Sequence, residues 1–600
     1  MNMKPDLPPH IMGGDSTEFN FHISSINLMN GEEISFTQAG VTAIVGANNV
    51  GKSTIIKEID RLLASQPNSA TVGLQLVKRV RLNNSPNLPN LAAWLSERFS
   101  YAAAGSNHGF VNMAHTSPLA WGIIEYLTSG FSTGNLGQLS TFFVSTADAS
   151  TRISYVDSFP LRESFDSPPV QPIQHLQDSE SKMQEFIAYS KRVFGLSLTL
   201  DGLSGNSQFR VGEPSIAAPP VNAVTSEYRR ELAKLPPLSQ QGDGVKSLLG
   251  LLMALVSGQA PVIFIDEPEA YLHPPQASVL GKILGEIAHR RGIQVIIATH
   301  DKNLLSGLVA SNAPVSVVRV SRQEDRSAAR QLQPSDIRSI WQDPVLRYSN
   351  IMEGLFHKIV VLVEGDQDCK FYSAALDYLC EFSDQGISPD DVLFVPSGGK
   401  TGMPRMAKSL RALDVPVVAA PDMDVFTDAG QLKSLVREFG GDWSHLDALN
   451  RKIRAQFANP KSPRLVSSVL TSIQAVLAGH ETERYAGVHK RNVENELHAE
   501  KPWDEVKKHG VDAFQGESRV ALDLFLPIIS EIGIVPIYDG ELESYARSTG
   551  VSKGVEWLPA ALRANAHQED AVQKQVARIL QSGLRLMRSL VERAASEVES

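Results

Sequence analysis

Short, continuously apolar runs that end in glycine or acidic residues recur along the chain, and they predict the buried strands of parallel sheets. Residues 41–45, 261–266 and 294–298 are such runs in the first half, and each precedes a stretch with helical periodicity. Upstream, residues 19–36 alternate loosely between apolar and polar positions around Asn30 and Gly31, which predicts a hairpin. We therefore expect an α/β unit that begins with antiparallel strands.

The second half of the chain repeats the pattern of strand and helix. Apolar runs at 358–363, 392–395 and 415–420 alternate with helical stretches and predict a second, Rossmann-like parallel sheet. A further short strand is expected at 534–537, and residues 568–599 have the periodicity of an amphipathic helix. Between the two units, residues 319–343 are rich in Pro, Ser and Arg, which predicts a linker.

Length and composition predict further domain boundaries. A chain of 600 residues is too long for one hydrophobic core. From about residue 81 to 225, Ser, Asn, Pro and Gly become frequent and only short strand-like runs such as Phe142-Phe143-Val144 occur. This change predicts an insertion into the first unit. We expect boundaries at 1–80, 81–225, 226–345 and 346–600, with helical additions in the last part.

Charge and cysteine content limit the class of protein. A net charge of −10 argues against a generally basic nucleic-acid coat, although it leaves local basic faces open. Two cysteines exclude a disulfide framework and a multi-cysteine zinc site. No apolar run approaches the roughly 20 residues of a membrane span, and the N-terminus lacks the apolar region of a secretory signal. We expect a cytoplasmic protein without a membrane segment.

Residues 46–54, directly after the first apolar run, match the phosphate-binding pattern G-x-x-x-x-G-K-[ST] between a strand and a helix. Glycines in this pattern let backbone N–H groups curl round a phosphate, and the helix N-terminus, a lysine and a hydroxyl add positive potential and a magnesium ligand. An ordinary glycine-rich turn is the alternative. We predict an ATP site with one Mg²⁺, formed by Gly46, Asn48, Asn49, Gly51, Lys52, Ser53 and Thr54, with Ser53 as a metal ligand.

Two later strand ends carry candidate partners of this loop. Asp266 ends the run 261–266 and Glu267 follows it, at the edge where open α/β sheets bind ligands. In this Walker B pattern Asp266 would hold Mg²⁺ and Glu267 would polarise the attacking water. His300 follows the strand predicted at 294–298, where it is placed to contact the terminal phosphate.

These motifs occur in the order found in ATP-binding-cassette ATPases, including the DNA-repair members, and the chain resembles that class. In that class two heads sandwich ATP, with the signature loop of one facing the phosphate loop of the other, so the resemblance implies a homodimer. Ser239 and Gly242 would belong to the signature. The segment departs from the transporter sequence Ser-Gly-Gly-Gln, because it reads Ser-Gln-Gln-Gly-Asp-Gly.

Carboxylates follow the strands of the second predicted sheet. Strand ends in one parallel sheet lie on the same edge, so these acids are expected to converge. Like charges raise each other's pKa, and divalent cations such as Mg²⁺ or Mn²⁺ would resolve the conflict. A pair of metals there is typical of phosphodiester chemistry. Solvated loop acids of a Rossmann-like domain are the alternative, and Asp366 is the expected bystander. The proposed metal-binding and catalytic acids are Glu364, Asp368, Asp422 and Asp424.

The spacing Val-Glu-Gly-x-x-Asp, followed about sixty residues later by Asp-x-Asp, resembles a Toprim domain. A cassette-type ATPase followed by Toprim resembles the OLD (overcoming lysogenization defect) family of nucleases and the related Gabija-type antiphage ATPase-nucleases. The resemblance implies a late metal-binding acid, either Glu541 or Glu543, with Glu543 favoured by motif position. It also implies that Lys553 stabilises charge at the scissile phosphate.

The leading functional hypothesis is an ATP-binding, metal-dependent DNA endonuclease or nickase. By resemblance it would act in bacterial antiphage defence, as a homodimer or higher oligomer that assembles through the ATPase and the segment 81–225, with a second defence protein as a further partner. Whether ATP is hydrolysed or only sensed stays open. The alternatives are a RecF-like or SMC-like DNA-binding ATPase with a non-catalytic Toprim-like domain, and a Toprim primase or topoisomerase.

Overall fold

The computed structural model describes residues 7–599 except positions 48, 68, 70–71, 84–85, 105–106, 115–116, 165–166, 204, 324–325, 344–346, 348–350, 413, 459–464, 498–501 and 552. The chain forms two compact units, residues 1–347 with 591–600, and residues 348–590. Both are α/β, as the sequence predicts. Among the described residues, no helix combines the length and the apolar character that crossing a bilayer demands.

The first unit is built on a central sheet of six strands in the order β14-β13-β3-β12-β11-β7. Its neighbours are parallel except β13 and β14, which are antiparallel. The other strands form small sheets in the orders β2-β1-β4, β8-β10-β9 and β5-β6. The strands are β1 Ile23–Leu28, β2 Glu33–Ser35, β3 Gly40–Val45, β4 Val77–Leu82, β5 Ser100–Ala104, β6 Asn107–Val111, β7 Val144–Ala147, β8 Phe159–Pro160, β9 Leu198–Asp201, β10 Asn206–Val211, β11 Val262–Asp266, β12 Gln294–Ala298, β13 Val315–Gln323 and β14 Arg326–Leu332.

Helices surround this sheet. Strands β3 and β12 are buried at every position, so they require apolar cover on both faces. The helices of the first unit are Lys52–Ala64, Leu88–Arg98, Trp121–Leu127, Ser140–Phe143, Ala149–Ser154, Pro172–Gln177, Glu180–Phe194, Ser226–Lys234, Asp243–Ser257, Pro274–Arg291, Lys302–Val309 and Pro334–Gln342.

The second unit contains a parallel sheet in the order β16-β15-β17, with β15 Ile359–Val363, β16 Val392–Pro396 and β17 Val417–Ala419. The central strand β15 is buried at every position, and a side chain at Gly583 would collide with Ile359, so the terminal helix packs closely against it. The helices that begin in this unit are Asp366–Phe382, Met403–Arg411, Ala429–Glu438, Trp443–Ala455, Val466–Leu477, Gly487–Leu497, Asp504–His509, Gly516–Glu531, Trp557–Arg563 and Asp570–Glu599.

The predicted hairpin and the strands predicted at 41–45, 261–266, 294–298, 358–363, 392–395 and 415–420 are confirmed, and three local predictions need correction. Residues 319–343 are not a linker, because they contain the end of β13, all of β14 and a helix. Phe142 and Phe143 lie in a buried helix, and the strand begins only at Val144. The strand predicted at 534–537 is present only in part: Ile534 makes a parallel bridge with Ala419, and the N–H groups of Val535 and Ile537 donate to the carbonyl oxygens of Ala419 and Pro421.

The segment 81–225 contributes directly to the central sheet. Its strand β7 pairs in parallel with β11, and the helix Ala149–Ser154 that follows packs on the helix Asp243–Ser257. The approach is close, because a Cβ at Gly250 would lie 1.8 Å from the carbonyl oxygen of Arg152. Part of the predicted insertion therefore belongs to the ATPase core, while its role in dimerisation stays a prediction.

Candidate nucleotide and metal sites

The predicted phosphate loop joins β3 to the helix Lys52–Ala64. Gly51 precedes this helix with a φ of 102°, and Gly46 has a φ of 151°, values that L side chains rarely adopt. A Cβ at Gly46 would also lie 2.3 Å from the carbonyl oxygen of Val320. The two motif glycines are therefore required by backbone conformation, and Gly46 also by the close approach of β13.

The Lys52 ammonium is held inside this loop. Its Nζ donates to the carbonyl oxygens of Gly46 and Ala47 at 3.0 and 2.8 Å. Burial lowers the pKa of Lys52, while the charges of Glu267, Glu269 and Asp266 oppose that shift. The fold thus places a partly desolvated cation where the motif predicts a phosphate.

Asp266 reaches the same place from β11. The Ser53 hydroxyl donates to Asp266 Oδ1 at 2.7 Å, so the two predicted magnesium ligands are already adjacent. A hydroxyl oxygen and a carboxylate are the donors that Mg²⁺ accepts beside a nucleotide. These residues therefore fit the predicted metal.

Glu267 and His300 lie side by side at the ends of β11 and β12. His300 Nδ1 lies 3.5 Å from Glu267 Oε1 and 3.3 Å from Glu269 Oε1, and Glu267 adopts a left-handed φ of 46°. Glu269 is buried and accepts from the Thr299 hydroxyl at 2.7 Å and the His300 N–H at 3.0 Å. Burial raises the pKa of Glu269 despite these bonds. Glu269 thus orients His300, a role the sequence analysis did not assign.

Arg152 is a second residue that the sequence analysis missed. It is fully buried, and its guanidinium donates to the carbonyl oxygens of Asp266 and Glu267 at 3.1 and 3.0 Å. Burial lowers its pKa, and the nearby acids Glu269 and Asp148 counteract this. Arg152 therefore fixes the backbone that carries both predicted Walker B acids, across more than a hundred residues of sequence.

The remaining predicted nucleotide residues differ in their placement. Asn49 has a left-handed φ of 63° in the loop, and Thr54 lies in the first turn of the helix that follows it. Asn48 lies outside the described residues. Ser239 belongs to the turn Leu238–Gln240, and Gly242 precedes the helix Asp243–Ser257. Among the described residues, no hydrogen bond or ion pair joins Ser239 or Gly242 to the phosphate loop.

In the second unit, three of the four acids predicted to converge lie together. Glu364, Asp422 and Asp424 offer oxygen atoms that all lie within 4.8 Å of one another. Glu364 follows β15 and the two aspartates follow β17, the neighbouring parallel strand. The backbone N–H of Asp422 donates to Glu364 Oε1 at 3.2 Å, which ties the two strand ends together. The predicted convergence of these three acids is therefore present in the geometry.

Asp368 lies behind this cluster in the first turn of the helix Asp366–Phe382. Its Oδ2 accepts from the Gly365 N–H at 3.1 Å. Burial, and then the negative charge of Glu364, raise the pKa of Asp368 to about 6. The pKa of Asp422 is raised well above its usual value by burial and by Glu364 and Asp368. Both acids thus resist ionisation in the absence of a cation.

Asp424 is paired with two lysines that the sequence analysis did not assign. Lys400 Nζ contacts Asp424 Oδ1, and Lys507 Nζ lies 3.1 Å from Asp424 Oδ2. Burial lowers the pKa of Lys400, against the charges of Glu364 and Asp422. Lys400 follows β16 at the same edge of the sheet, so its position after a strand end was a usable signal. The position of Lys507, in the helix Asp504–His509, gave no such signal in the sequence.

The late acid and the late lysine also meet. Lys553 Nζ lies 3.1 Å from Glu543 Oε1; Glu543 is mostly buried, whereas Lys553 is mostly exposed. Burial lowers the pKa of Lys553, but the charge and hydrogen bond of Glu543 outweigh it and the net shift is upward. Burial, and then Glu543, raise the pKa of Glu541. Glu543 is thus the acid paired with Lys553, while both acids stay candidates.

The donor set of the second unit fits a divalent cation. Among the described residues, Asp422 Oδ1 and Glu543 Oε2 are buried oxygens without a hydrogen-bond partner, which is costly for an acceptor. A hard cation such as Mg²⁺ or Mn²⁺ satisfies carboxylate oxygens of this kind. Asp424 is already compensated by its lysines. The unsatisfied oxygens therefore favour a metal bound beside Asp422 and Glu543.

Comparisons with known proteins agree with the two units. A family model described as an AAA domain matches residues 133–306, and one described as the overcoming lysogenization defect protein-like TOPRIM domain matches residues 355–424. These matches confirm the predicted resemblance to ATPase–Toprim proteins of the OLD type.

Two curated relatives carry related names. An OLD nuclease of Thermus scotoductus (strain ATCC 700910 / SA-01) is 29% identical over 223 residues, covering 35% of this chain and 40% of the relative. The Old nuclease of Escherichia phage P2 is 28% identical over 173 residues, covering 28% of each. The matched regions thus span less than half of either relative.

Solved structures with a related arrangement include the SMC head domain from Thermotoga maritima, at 17% identity and a TM-score of 0.29, covering 52% of this chain and 99% of that one. An SmcHead bound to the C-winged helix domain of ScpA gives 14% identity and a TM-score of 0.31, covering 52% and 98%. TM-scores of this size add nothing to the assignment of the fold, which rests on the sheets and the two family matches.

Proposed function

On the premise that the chain joins an ATPase domain to an OLD-like Toprim domain, we propose that it is a metal-dependent DNA endonuclease or nickase gated by ATP. The observation that carries the proposal is the convergence of Glu364, Asp422 and Asp424 within 4.8 Å, with a buried oxygen of Asp422 that no described residue satisfies. Solvated loop acids would not be buried without partners. This arrangement therefore favours a metal-dependent reaction over the Rossmann-like alternative.

The side chains of the second unit would have different roles in phosphodiester hydrolysis. Glu364, Asp368, Asp422, Asp424 and Glu543 would hold Mg²⁺ or Mn²⁺, two ions by the sequence prediction. Bound there, the metal would supply Lewis-acid polarisation of the scissile phosphate and activation of water. Lys553, exposed and held by Glu543, would place a positive charge where the negative charge on the phosphate develops.

In the first unit, ATP with one Mg²⁺ would bind the loop at 46–54. Lys52 would release its two carbonyl partners to meet the phosphates, and Ser53 and Asp266 would hold the metal. Glu267 would polarise water, with His300 beside it at the terminal phosphate. Two heads closing on ATP would form a homodimer or higher oligomer, with Ser239 and Gly242 acting across the interface and the segment 81–225 contributing to it.

The proposed setting is bacterial antiphage defence in the cytoplasm, with DNA as substrate and a second defence protein as a further partner. This part rests on the resemblance to OLD-type and Gabija-type proteins. Gating would follow from a change in the separation of the heads when ATP binds, because a ligand shifts an equilibrium only by binding one state more tightly.

Cleavage of supercoiled plasmid by the purified full chain tests the proposal. The wild type should nick or cut in Mg²⁺ or Mn²⁺, and Asp422→Asn should reduce the rate by at least about a hundredfold, the scale expected when catalytic positioning is lost. Asp366→Asn is the matched control, because Asp366 is an exposed acid on the helix that also carries Asp368. Lys52→Ala, assayed with and without ATP, separates gating from chemistry.

Each outcome bears on one part of the proposal. Absence of cleavage under every metal and nucleotide condition would favour the DNA-binding ATPase with a non-catalytic Toprim-like domain. Equal cleavage by Asp422→Asn and the wild type would place the chemistry elsewhere. If Lys52→Ala responds to ATP as the wild type does, gating through the phosphate loop is wrong.

A further inference from the structure

A second group of metal-capable side chains lies away from the acid cluster, in the turn between the helices Val466–Leu477 and Gly487–Leu497. His480 Nδ1 lies 3.1 Å from Glu483 Oε1, and His489 Nε2 lies 3.2 Å from Glu483 Oε2. The ligand atoms of the three residues all lie within 4.8 Å of one another. Two imidazoles thus converge on the two oxygens of one carboxylate.

The spacing of these atoms is close to that of a metal site. In tetrahedral zinc sites the metal lies about 2.0–2.1 Å from nitrogen and oxygen ligands, so neighbouring ligand atoms are roughly 3.3 Å apart. The nitrogen–oxygen distances of 3.1 and 3.2 Å are to different oxygens of Glu483, and one ligand atom from each residue lies within 4.8 Å of the others, so the three side chains must draw closer together to reach that spacing. The side chains of His480 and Glu483 are about half exposed, so water can complete the coordination.

The donor chemistry separates this group from the acid cluster. Imidazole nitrogen with one carboxylate suits Zn²⁺, whereas sites made only of carboxylate oxygen suit Mg²⁺ and Mn²⁺. The neighbouring acid Glu481 does not join the group, because both of its oxygens accept from the Gly479 N–H. The protein ligands are therefore two histidines and one glutamate, a set known from zinc enzymes.

Metal binding replaces the contacts of both imidazoles with Glu483, and it also changes a hydrogen bond on the far side of the His489 ring. The Ala486 N–H donates to His489 Nδ1 at 3.1 Å, so the neutral ring carries its proton on Nε2. Coordination through Nε2 moves that proton to Nδ1 and releases the Ala486 N–H. Ala486 is exposed, so water replaces the lost acceptor at little cost.

The surrounding hairpin has little else to hold it. The helix Val466–Leu477 contains no buried residue, and Leu470 in it is more than half exposed, as is Val488 in the second helix. Small elements without a core are commonly stabilised by a metal or a disulfide. Cysteines are lacking in this hairpin. We propose that His480, Glu483 and His489 bind Zn²⁺ and thereby join the two helices at their turn.

Zinc binding by the full chain tests this inference without any readout of DNA cleavage. Metal-stripped protein is titrated with Zn²⁺ in competition with a chromophoric chelator. Excess Mg²⁺ is present throughout, so that Mg²⁺ occupies the sites made only of oxygen ligands. The wild type should bind one more Zn²⁺ than His480→Ala or Glu483→Gln, or bind it at least about a hundredfold more tightly. His445→Ala is the matched control, since His445 is an exposed histidine that lies 3.5 Å from a single acid, Asp442, among the described residues.

A second measurement reports on geometry and on the hairpin. Co²⁺ in place of Zn²⁺ should give the strong visible bands of a tetrahedral site in the wild type and in His445→Ala, but not in His480→Ala. Zn²⁺ should also slow proteolytic cleavage within residues 465–497. The inference is overturned if wild type and His480→Ala bind Zn²⁺ with equal stoichiometry and affinity, or if the cobalt bands persist in Glu483→Gln.

Discussion

Replacing Asp368 with asparagine should make the metal-free protein more stable. Asp368 is buried, with 8% of its surface exposed, and its carboxyl group faces the charge of Glu364. Asparagine keeps an oxygen that can accept the Gly365 N–H but removes the charge. The substitution therefore isolates the electrostatic cost of placing this acid beside the cluster.

The size and the pH dependence of this gain follow from the pKa of Asp368, raised from 3.8 to about 6. The folded state holds the proton more tightly than the unfolded state, so ionisation destabilises the fold. The resulting loss in free energy of unfolding is absent well below pH 3.8, grows as the pH rises to 6, and is constant above pH 6. At 1.36 kcal/mol per pKa unit, it amounts to about 3 kcal/mol at pH 7 and about 1.5 kcal/mol at pH 5.

Urea unfolding in the presence of a chelator measures this difference, read on the transition of the unit that contains Asp368. At pH 7, Asp368→Asn should unfold at a higher urea concentration than the wild type. The difference in free energy of unfolding between the two proteins should be about twice as large at pH 7 as at pH 5. Asp366→Asn, an exposed neighbour on the same helix, should match the wild type. The reasoning is refuted if Asp368→Asn is no more stable at pH 7, or if its gain is the same at both pH values.

Three further predictions concern the contacts around the two sites. Lys400→Met removes a cation from Asp424 and should tighten Mn²⁺ binding about tenfold by calorimetry, because repulsion of the metal falls by roughly 1–2 kcal/mol; an unchanged Kd contradicts this. Gly250→Ala forces a Cβ against the Arg152 carbonyl and should lower stability by about 3 kcal/mol in thermal unfolding, whereas Gly122→Ala, in open space, should not. Glu267→Gln should keep ATP binding but slow any ATP hydrolysis at least about a hundredfold; a loss below tenfold assigns the water elsewhere.

The strands that the sequence predicts well are those buried on both faces. Strand β15 is wholly apolar, and β3 and β12 are apolar except for the buried Thr42 and Gln294, because every position meets the core. The pattern fails at β14, which pairs on one side only and lies at the edge of its sheet. Arg330 and Gln331 in this strand are only partly buried, which suits an edge, so composition alone predicts a linker there.

The candidate sites divide in the same way. Carboxylates that follow strands were predictable, because parallel strands end at one edge, and this rule found Asp266, Glu364 and Asp422. Arg152 was not predictable, since it recognises backbone carbonyls, which leave no mark on the sequence. Lys507 comes from a helix more than eighty residues beyond the Asp424 it contacts.

The order of strands in the central sheet has a consequence for synthesis of the protein. Strand β3 pairs with β12 and β13. Val41 therefore cannot pair with Val295 until the ribosome has synthesised another 254 residues. At about 5–20 residues per second, a ribosome takes roughly 13–50 s to make that length. During this time both edges of an apolar strand stay unpaired, a condition that favours aggregation. Slowing translation just after residue 323 should therefore raise the soluble yield more than slowing it between β3 and β12.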